Sequence, residues 1–225
     1  VYLMGYSAGG DGVYQVAPRM ADYWAAAAMM AGHPNETSPL GLRNLPFAIH
    51  VGEWDSGFNR NKVALKWKDK LVALQKEDRS GYIHYVRLHA GRGHWMNRED
   101  AVALDWMAKH TRQPLPKRIV WKQDNVVHDS FYWLSLPAGQ AAARMEIKAR
   151  VKGQVVELSG PAGKRVEINL SDALVNLEIP VKIMSKGKEL FSGKLNRTIG
   201  NLKTSLDRRR DRNFMLPTRR EVTLP

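Results

Sequence analysis

The sequence predicts an α/β domain with a parallel sheet, followed by a smaller β-rich domain. Up to about residue 112, apolar strand-like runs alternate with segments of helical period, which is typical of a parallel sheet covered by helices. Beyond residue 118 the apolar runs are short, and turns rich in Gly, Pro, Ser and Asp separate them, which favours antiparallel strands. Between the two parts lies a segment with prolines at 114 and 116. The predicted domains are therefore residues 1–112 and 119–225, with a linker at 113–118.

Composition narrows the class of protein. Of the 225 residues, 44% are hydrophobic and none is cysteine, so a packed core is expected and disulfides, thiolate metal sites and a cysteine nucleophile are excluded. The longest apolar run, residues 23–31, is far shorter than the roughly 20 residues that span a bilayer, so no membrane span is expected. The net charge of +13 is uneven. Residues 1–114 carry 14 basic and 11 acidic side chains, and residues 115–225 carry 21 and 11.

Four strands and three helices are predicted in the first domain. The strands are residues 1–4, 24–30, 47–51 and 82–88, and the helices are residues 8–20, 59–76 and 98–110. Pro18 predicts a kink or break of the first helix near Ala17, because proline is unfavourable inside a helix. Asn97 is of a residue type that favours the N-cap, and Asp100 lies near the third position of the helix that would follow. Asn97 is therefore the predicted N-cap of the third helix.

The second domain is predicted to be a small, mainly antiparallel, β-sandwich-like module. Its strands are residues 145–151, 155–158, 165–170, 179–184, 189–195 and 221–224, with one helix at 199–210. That helix ends in a basic cluster formed by Arg208, Arg209, Arg210 and Arg212. Acidic residues interrupt the cluster and only Phe214 lies near it, so a solvated helix end is expected and nucleic-acid binding is not.

The pattern Gly5-Tyr-Ser-Ala-Gly9 has the form G-x-S-x-G, with an apolar strand before it and a helix after it. A serine on such a turn points its hydroxyl out of the backbone, which predicts Ser7 as a nucleophile. The Ala8 N–H, at the helix N-terminus, is a candidate donor to an oxyanion. The alternative is a glycine-rich strand-to-helix turn without chemistry.

This motif in its context resembles the α/β-hydrolase family, and the resemblance implies the chain order serine, acid, histidine. A serine needs a base, and the base needs an orienting carboxylate. The matching acid is Asp55, in Gly52-Glu-Trp-Asp55 just beyond the third strand, with Glu53 as the alternative. Asp11 and Asp69 lie on helices, where solvated positions are expected.

The matching histidine is His94, in Gly91-Arg-Gly-His94 between the fourth strand and the third helix. A loop after the last strand can place an imidazole over the serine. His89 is the alternative, because it also lies near the strand end. His50 and His84 lie inside strands and are expected to be core or sheet-face residues. No histidine has a metal-ligand spacing with nearby carboxylates, so no metal site is expected.

Within the family, the sequence is most similar to esterases related to polyhydroxybutyrate depolymerases, dienelactone hydrolases and feruloyl esterases. The motifs that carry the similarity are Gly-Tyr-Ser-Ala-Gly-Gly10, Gly52-x-x-Asp55 and Gly-x-Gly-His94. The second domain resembles an appendage that follows such hydrolases in some bacteria, on the segment 169–180. The resemblance implies cleavage of a small-molecule or polymeric ester through an acyl-enzyme, without a cofactor. The alternatives are a serine peptidase of the same fold, or a binding protein that uses its basic second domain.

Aromatic side chains adjoin each proposed catalytic residue. Tyr6, Trp54 and Trp95 either line an acyl or aryl pocket or serve ordinary packing. His33 and Asn35, which close the second strand, are placed near the same cleft.

The resembled family has several strands before the serine motif, including the loop that provides the second oxyanion donor. Here the strand from Val1 to Met4 has predicted neighbours on one side alone. The expectation is therefore that missing N-terminal strands or a second chain pair with this strand. For the same reason, the second oxyanion donor cannot be assigned to a residue of this sequence. Little esterase activity is therefore expected for the 225 residues alone.

Overall fold

The computed structural model describes all 225 residues. The chain divides into two compact units, residues 1–113 and 114–225. No helix in either unit combines the length and the apolar character that crossing a membrane requires.

The first unit is built on one four-stranded parallel sheet. Its strands follow the order of the sequence: β1 (Leu3–Tyr6), β2 (Ala27–Met30), β3 (Phe47–Gly52) and β4 (His84–His89). Every residue of β2 and β3 is buried, as expected for inner strands with both faces covered. The prediction of a parallel sheet flanked by helices is confirmed.

Helices cover both faces of this sheet. Helices α1 (Ala8–Arg19) and α2 (Arg60–Glu77) contribute Tyr14 and Trp67, whose rings lie 4.5 Å apart and pack on Phe47 of β3. On the opposite face, helix α3 (Val102–Met107) contributes to a core cluster in which alternate strand residues meet methionines. The members of that cluster include Ala28, Met30, Ala48, Met96 and Met107.

The structure departs from three predictions about the helices. Helix α1 has no break at Ala17 but continues to Arg19, because Pro18 lies in its last turn, where the lost N–H removes only one late bond. The third helix does not run from 98 to 110, since residues 99–101 form a 3₁₀ turn and α3 ends at Met107. Asn97 and Arg98 have φ values of 54° and 64°, so Asn97 lacks the extended backbone of an N-cap.

The second unit contains two sheets and one helix. In chain order the elements are β5 (Arg118–Lys122), β6 (Ser130–Phe131), β7 (Leu134–Ser135), β8 (Glu146–Lys152), β9 (Val155–Ser159), β10 (Arg165–Ile168), β11 (Val181–Ser185), β12 (Lys188–Gly193), α4 (Ile199–Arg209) and β13 (Arg220–Thr223). One sheet has the order β12-β11-β9-β8-β5 and the other β13-β10-β7-β6. All pairs are antiparallel except β9 with β11. Strands β5, β6 and β7 were not expected, and Arg118, assigned to the linker, begins β5.

Candidate active site

Ser7 occupies the sharp turn between β1 and α1. Its φ of 55° and ψ of −119° place it in a region that non-glycine residues rarely enter. Such a backbone is strained by about 1–3 kcal/mol and persists only where its surroundings enforce it. Ser7 is the N-cap of α1, yet its side chain makes no capping hydrogen bond. The hydroxyl is therefore available for another partner.

That partner is His94. Its Nε2 lies 3.0 Å from Ser7 Oγ, and its Nδ1 lies 2.8 Å from Asp55 Oδ2. Both contacts join residues that are far apart in sequence, at the ends of β1, β3 and β4. The structure thus brings Ser7, Asp55 and His94 into one continuous hydrogen-bonded chain, in the arrangement that activates a serine hydroxyl.

The carboxylate of Asp55 is held on both sides. Asp55 is 3% exposed, and the second oxygen of its carboxylate, Oδ1, lies 3.5 Å from Arg60 Nη1. The main-chain carbonyl of Asp55 accepts a hydrogen bond from the N–H of Asn61 at 3.0 Å. The Arg60 contact and the main-chain bond to Asn61 fix the position of Asp55 beside the imidazole of His94.

The loop that carries His94 is tied to the loop that carries Asp55. The N–H of Trp54 donates to Arg92 O at 2.8 Å, and the N–H of Gly91 donates to a carboxylate oxygen of Glu53 at 2.8 Å. Gly52 permits this approach, since a Cβ there would lie 1.9 Å from Gly93 O. The carboxylate of Glu53, the alternative acid, therefore holds the loop that carries His94 at Gly91, and it is not the partner of the His94 imidazole.

His89, the alternative base, lies elsewhere. It is 1% exposed, and its Nε2 and Nδ1 lie 3.1 Å from His50 Nδ1 and 3.4 Å from Glu99 Oε2. Glu99 also accepts from Arg92 at 2.8 Å. The Arg92 guanidinium and, to a lesser extent, His89 hold the pKa of the Glu99 carboxyl below its usual value. His89 belongs to this network behind the histidine loop.

The three aromatic residues are placed differently from one another. Tyr6 donates from its hydroxyl to the main-chain oxygen of His94, and its ring packs edge-on against Trp95 at 5.8 Å. Trp54 and Trp95 are 67% and 57% exposed, so core packing is not their role. The N–H of Ala8, the first residue of α1, has no acceptor within the helix.

A cleft beside these residues was only partly expected. Asp11, His33, Asn35, Phe58 and Arg60 line it. His33 and Asn35 were expected near the site, but Asp11 was expected on a solvated helix face. It is instead half-buried, and its Oδ1 accepts from the N–H of His33 at 2.6 Å. Phe58 and Arg60 carried no signal in the sequence, and in the structure the guanidinium carbon of Arg60 lies 4.8 Å from the centroid of the Phe58 ring.

Comparison with models of known protein families finds no match, and comparison with curated proteins finds no similar sequence. No three side chains of the metal-binding types lie close enough together to hold an ion.

Proposed function

We propose that the first unit is the catalytic unit of a serine hydrolase that cleaves carboxylic esters. The observation that carries this proposal is the hydrogen-bonded chain from Asp55 through His94 to Ser7. The strained backbone of Ser7 supports it, because strain of this kind clusters at functional residues. The G-x-S-x-G turn after a parallel strand further supports an α/β-hydrolase assignment.

In the proposed reaction, Ser7 Oγ attacks the ester carbonyl carbon while His94 Nε2 takes the hydroxyl proton. Asp55 fixes the imidazole tautomer and stabilises the imidazolium that forms. The tetrahedral oxyanion accepts from the N–H of Ala8. When the carbon–oxygen bond to the alcohol breaks, His94 returns the proton to the leaving alkoxide. Water, deprotonated by His94, then attacks the acyl carbon. The bond from that carbon to Ser7 Oγ breaks, His94 returns the proton to Ser7 Oγ, and the carboxylic acid is released.

Two exposed aromatic side chains support a substrate with an apolar acyl or aryl group. Exposed Trp54 and Trp95 flank the catalytic loops and offer apolar surface for an acyl or aryl group. The ring of Tyr6 packs edge-on against Trp95. A peptidase of the same fold is the competing proposal, and the rates on ester and amide substrates distinguish the two.

We further propose that another strand pairs with β1, from the same polypeptide or from a second chain. Strand β1 is an edge of its sheet. The main-chain groups of Val1, Leu3 and Ser7 bond to β2 and the two residues before it, so those of Tyr2 and Met4 point outward by the alternation of a strand. Their side chains are 43% and 47% exposed. An uncovered apolar edge of this kind invites pairing.

Hydrogen exchange at single backbone amides tests whether a strand pairs with β1. If a strand pairs with β1, the Met4 amide exchanges about as slowly as that of Leu3, whose N–H bonds to Ala26 O at 3.1 Å. A monomer in which the Met4 amide exchanges freely, and which still hydrolyses esters, would show that no such strand is needed.

The catalytic proposal is tested by labelling with a fluorophosphonate probe, read by mass spectrometry. Ser7 is expected to carry the label, and Ser7→Ala and His94→Ala are expected to lose it. Turnover of 4-nitrophenyl acetate is expected to fall by several powers of ten in Ser7→Ala, and somewhat less in Asp55→Asn. Labelling at another serine, or none in folded protein in which a strand pairs with β1, overturns the assignment. Faster turnover of a peptide anilide than of the ester supports the peptidase instead.

A further inference from the structure

The loop that carries His94 begins after β4, which ends at His89, and closes in the 3₁₀ turn of residues 99–101. The side chain of His94 is 42% exposed, so packing in the core does not fix the imidazole. The position of the loop backbone therefore determines where the imidazole lies relative to Ser7. A group of charged and titratable side chains outside the triad holds this backbone.

Glu99, in the 3₁₀ turn, is the residue at which these contacts meet. Its Oε1 accepts from Nε of Arg92 at 2.8 Å and from Nη2 of the same guanidinium. Its Oε2 lies 3.4 Å from Nδ1 of His89. Both partners precede His94 in the loop, whereas Glu99 follows it. The carboxylate therefore closes the loop across the triad histidine.

The main chain of Arg92 joins this loop to the loop that carries Asp55. The N–H of Arg92 donates to His89 O at 3.2 Å, and its carbonyl oxygen accepts from the N–H of Trp54 at 2.8 Å. Trp54 directly precedes Asp55, and Arg92 lies two residues before His94. A shift of Arg92 would therefore change the contact between Asp55 and His94, whose Oδ2 and Nδ1 are 2.8 Å apart.

Two buried imidazoles hold the other side of the Glu99 carboxylate. His89 is 1% exposed and His50 is fully buried, and Nδ1 of His50 lies 3.1 Å from Nε2 of His89. A hydrogen bond to Arg92 is the main cause that holds the pKa of the Glu99 carboxyl below its usual value. The carboxylate is therefore ionised at neutral pH and can only accept, so Nδ1 of His89 carries a proton.

The hydrogen-bond partners select one arrangement of the remaining protons. Burial lowers the pKa of His50 to about 4, so His50 is neutral and has one ring proton. Nε2 of His50 has no partner within the protein. With the proton on Nδ1, His50 donates to Nε2 of His89, and His89 donates from Nδ1 to Glu99. A charged His89 would instead force the His50 proton onto Nε2, as a buried N–H without an acceptor.

We propose that Glu99, Arg92 and His89 are positioning residues for the triad histidine, and that the two neutral imidazoles set the orientation of the Glu99 carboxylate. Resting on the proposed serine hydrolase activity, the inference is that this carboxylate holds the loop so that His94 reaches both of its triad partners. Each positioning residue acts on the reaction through the backbone of the loop.

The proton arrangement is tested without turnover. Long-range proton–nitrogen NMR spectra of the imidazoles at neutral pH are expected to show His50 and His89 both neutral and both protonated on Nδ1. Their signals are assigned by their loss in His50→Gln and His89→Gln. A proton on Nε2 of His50, or a charged His89, overturns the proposal that these imidazoles orient Glu99.

Hydrogen exchange tests whether Glu99 holds the loop. Glu99→Gln keeps the size of the side chain but cannot accept from both Arg92 and His89. It is expected to speed exchange of the Trp54 amide, which donates to Arg92 O, on the order of 10-fold. The amide of Ala27, in the inner strand β2, is the internal reference and should exchange at an unchanged rate.

The matched control is Glu36→Gln. Glu36 and Arg19 form an ion pair of the same type in the first unit, at 2.6 Å, and the Glu36 side chain is 30% exposed against 35% for Glu99. Glu36→Gln is expected to leave the exchange of the Trp54 amide unchanged. Unchanged exchange in Glu99→Gln, or equal acceleration in the control, overturns the positioning role.

The kinetic test uses protein in which a strand pairs with β1. Glu99→Gln is expected to lower kcat and kcat/KM for 4-nitrophenyl acetate by the same factor, about 3–10-fold, because the orientation of His94 affects the transition state. Arg92→Gln is expected to have a similar effect, and the double variant an effect no larger than either, since all three remove one contact. Additive losses, or equal losses in Glu36→Gln, overturn the proposal.

The outcomes separate this inference from the hydrolase proposal. Protein with the expected tautomers and exchange rates, but without labelling of Ser7 or turnover, would overturn the hydrolase and leave Glu99 as the support of the loop. Full labelling of Ser7, with equal rates in Glu99→Gln, Arg92→Gln and the unsubstituted protein, would overturn the positioning role and leave the hydrolase.

Discussion

The hydroxyl of Tyr6 donates a hydrogen bond to the main-chain carbonyl oxygen of His94. Tyr6 is the last residue of β1, immediately before Ser7, so this bond joins the serine turn to the histidine loop. Burial is the main cause that raises the pKa of the Tyr6 phenol, so the hydroxyl remains a donor at neutral pH. Through this bond, a side chain of β1 helps to fix the distance between Ser7 and His94.

Tyr6→Phe is expected to slow ester turnover because it releases the histidine loop. Loss of one hydrogen bond of about 1 kcal/mol corresponds to a decrease of roughly 5–10-fold in kcat. The matched control is Tyr2→Phe, on the same strand, whose hydroxyl donates to His110 O at 3.1 Å. Tyr2→Phe should affect stability alone. Equal kinetic effects of both substitutions would show that Tyr6 has no positioning role.

His89→Ala and His94→Ala are expected to fail in different ways. His94 contacts Ser7, so His94→Ala should remove fluorophosphonate labelling while the protein stays folded. His89 is buried against His50 and Glu99, so His89→Ala should lower the free energy of unfolding by about 2–4 kcal/mol and leave labelling in the folded fraction. If folded His89→Ala protein lost labelling as His94→Ala does, the histidine assignment would be wrong.

The two glycines of the G-x-S-x-G pattern are not equivalent. A Cβ on Gly5 would lie 2.2 Å from the main-chain oxygen of Gly9, whereas a Cβ on Gly9 meets nothing within 4 Å. Gly5→Ala should therefore destabilise the protein by about 3 kcal/mol or more, because backbone must move. Gly9→Ala, inside α1, should be neutral or stabilising by up to about 1 kcal/mol. Urea unfolding of the two variants measures both effects.

His50 should make folding stability depend on pH. It is fully buried on β3. Burial, with His89 and Arg87 nearby, lowers its pKa from 6.5 to about 4. Below pH 6.5 the unfolded chain binds a proton that the folded protein does not, so stability falls as the pH falls toward 4. The expected loss from pH 7.5 to pH 5 is about 2 kcal/mol.

The control for this pH effect is His50→Gln, whose side-chain amide has both a donor and an acceptor for the contact with His89 but does not titrate. Urea unfolding at pH 7.5 and pH 5 should show that the variant loses about 2 kcal/mol less than the unsubstituted protein over this interval. An unchanged pH dependence would place the titration on another group.

The pattern of apolar residues along the sequence was sufficient to predict the parallel sheet and the flanking helices of the first unit. Strands of uniform apolar character and helices of regular period come from residues close in sequence, so the sheet and the turn at Ser7 could be predicted. The same reasoning failed at Pro18, Asn97 and strands β5 to β7. Two of these three strands are two residues long, too short to produce a period. Asp55 and His94 were indicated as acid and base by the resemblance to the α/β-hydrolase family, not by the periodicity of the sequence.

The sequence by itself determined where the strands end and which residue types follow them, because both depend on neighbours within a few positions. Tertiary structure decided which of those residues meet. Glu53 and His89 have the same local signals as Asp55 and His94, yet their contacts are with Gly91, His50 and Glu99. Gly52 gained its role only where the loop that carries His94 passes within contact distance, at Gly93. Contacts between residues tens of positions apart depend on the packing of the whole unit, which no local pattern encodes.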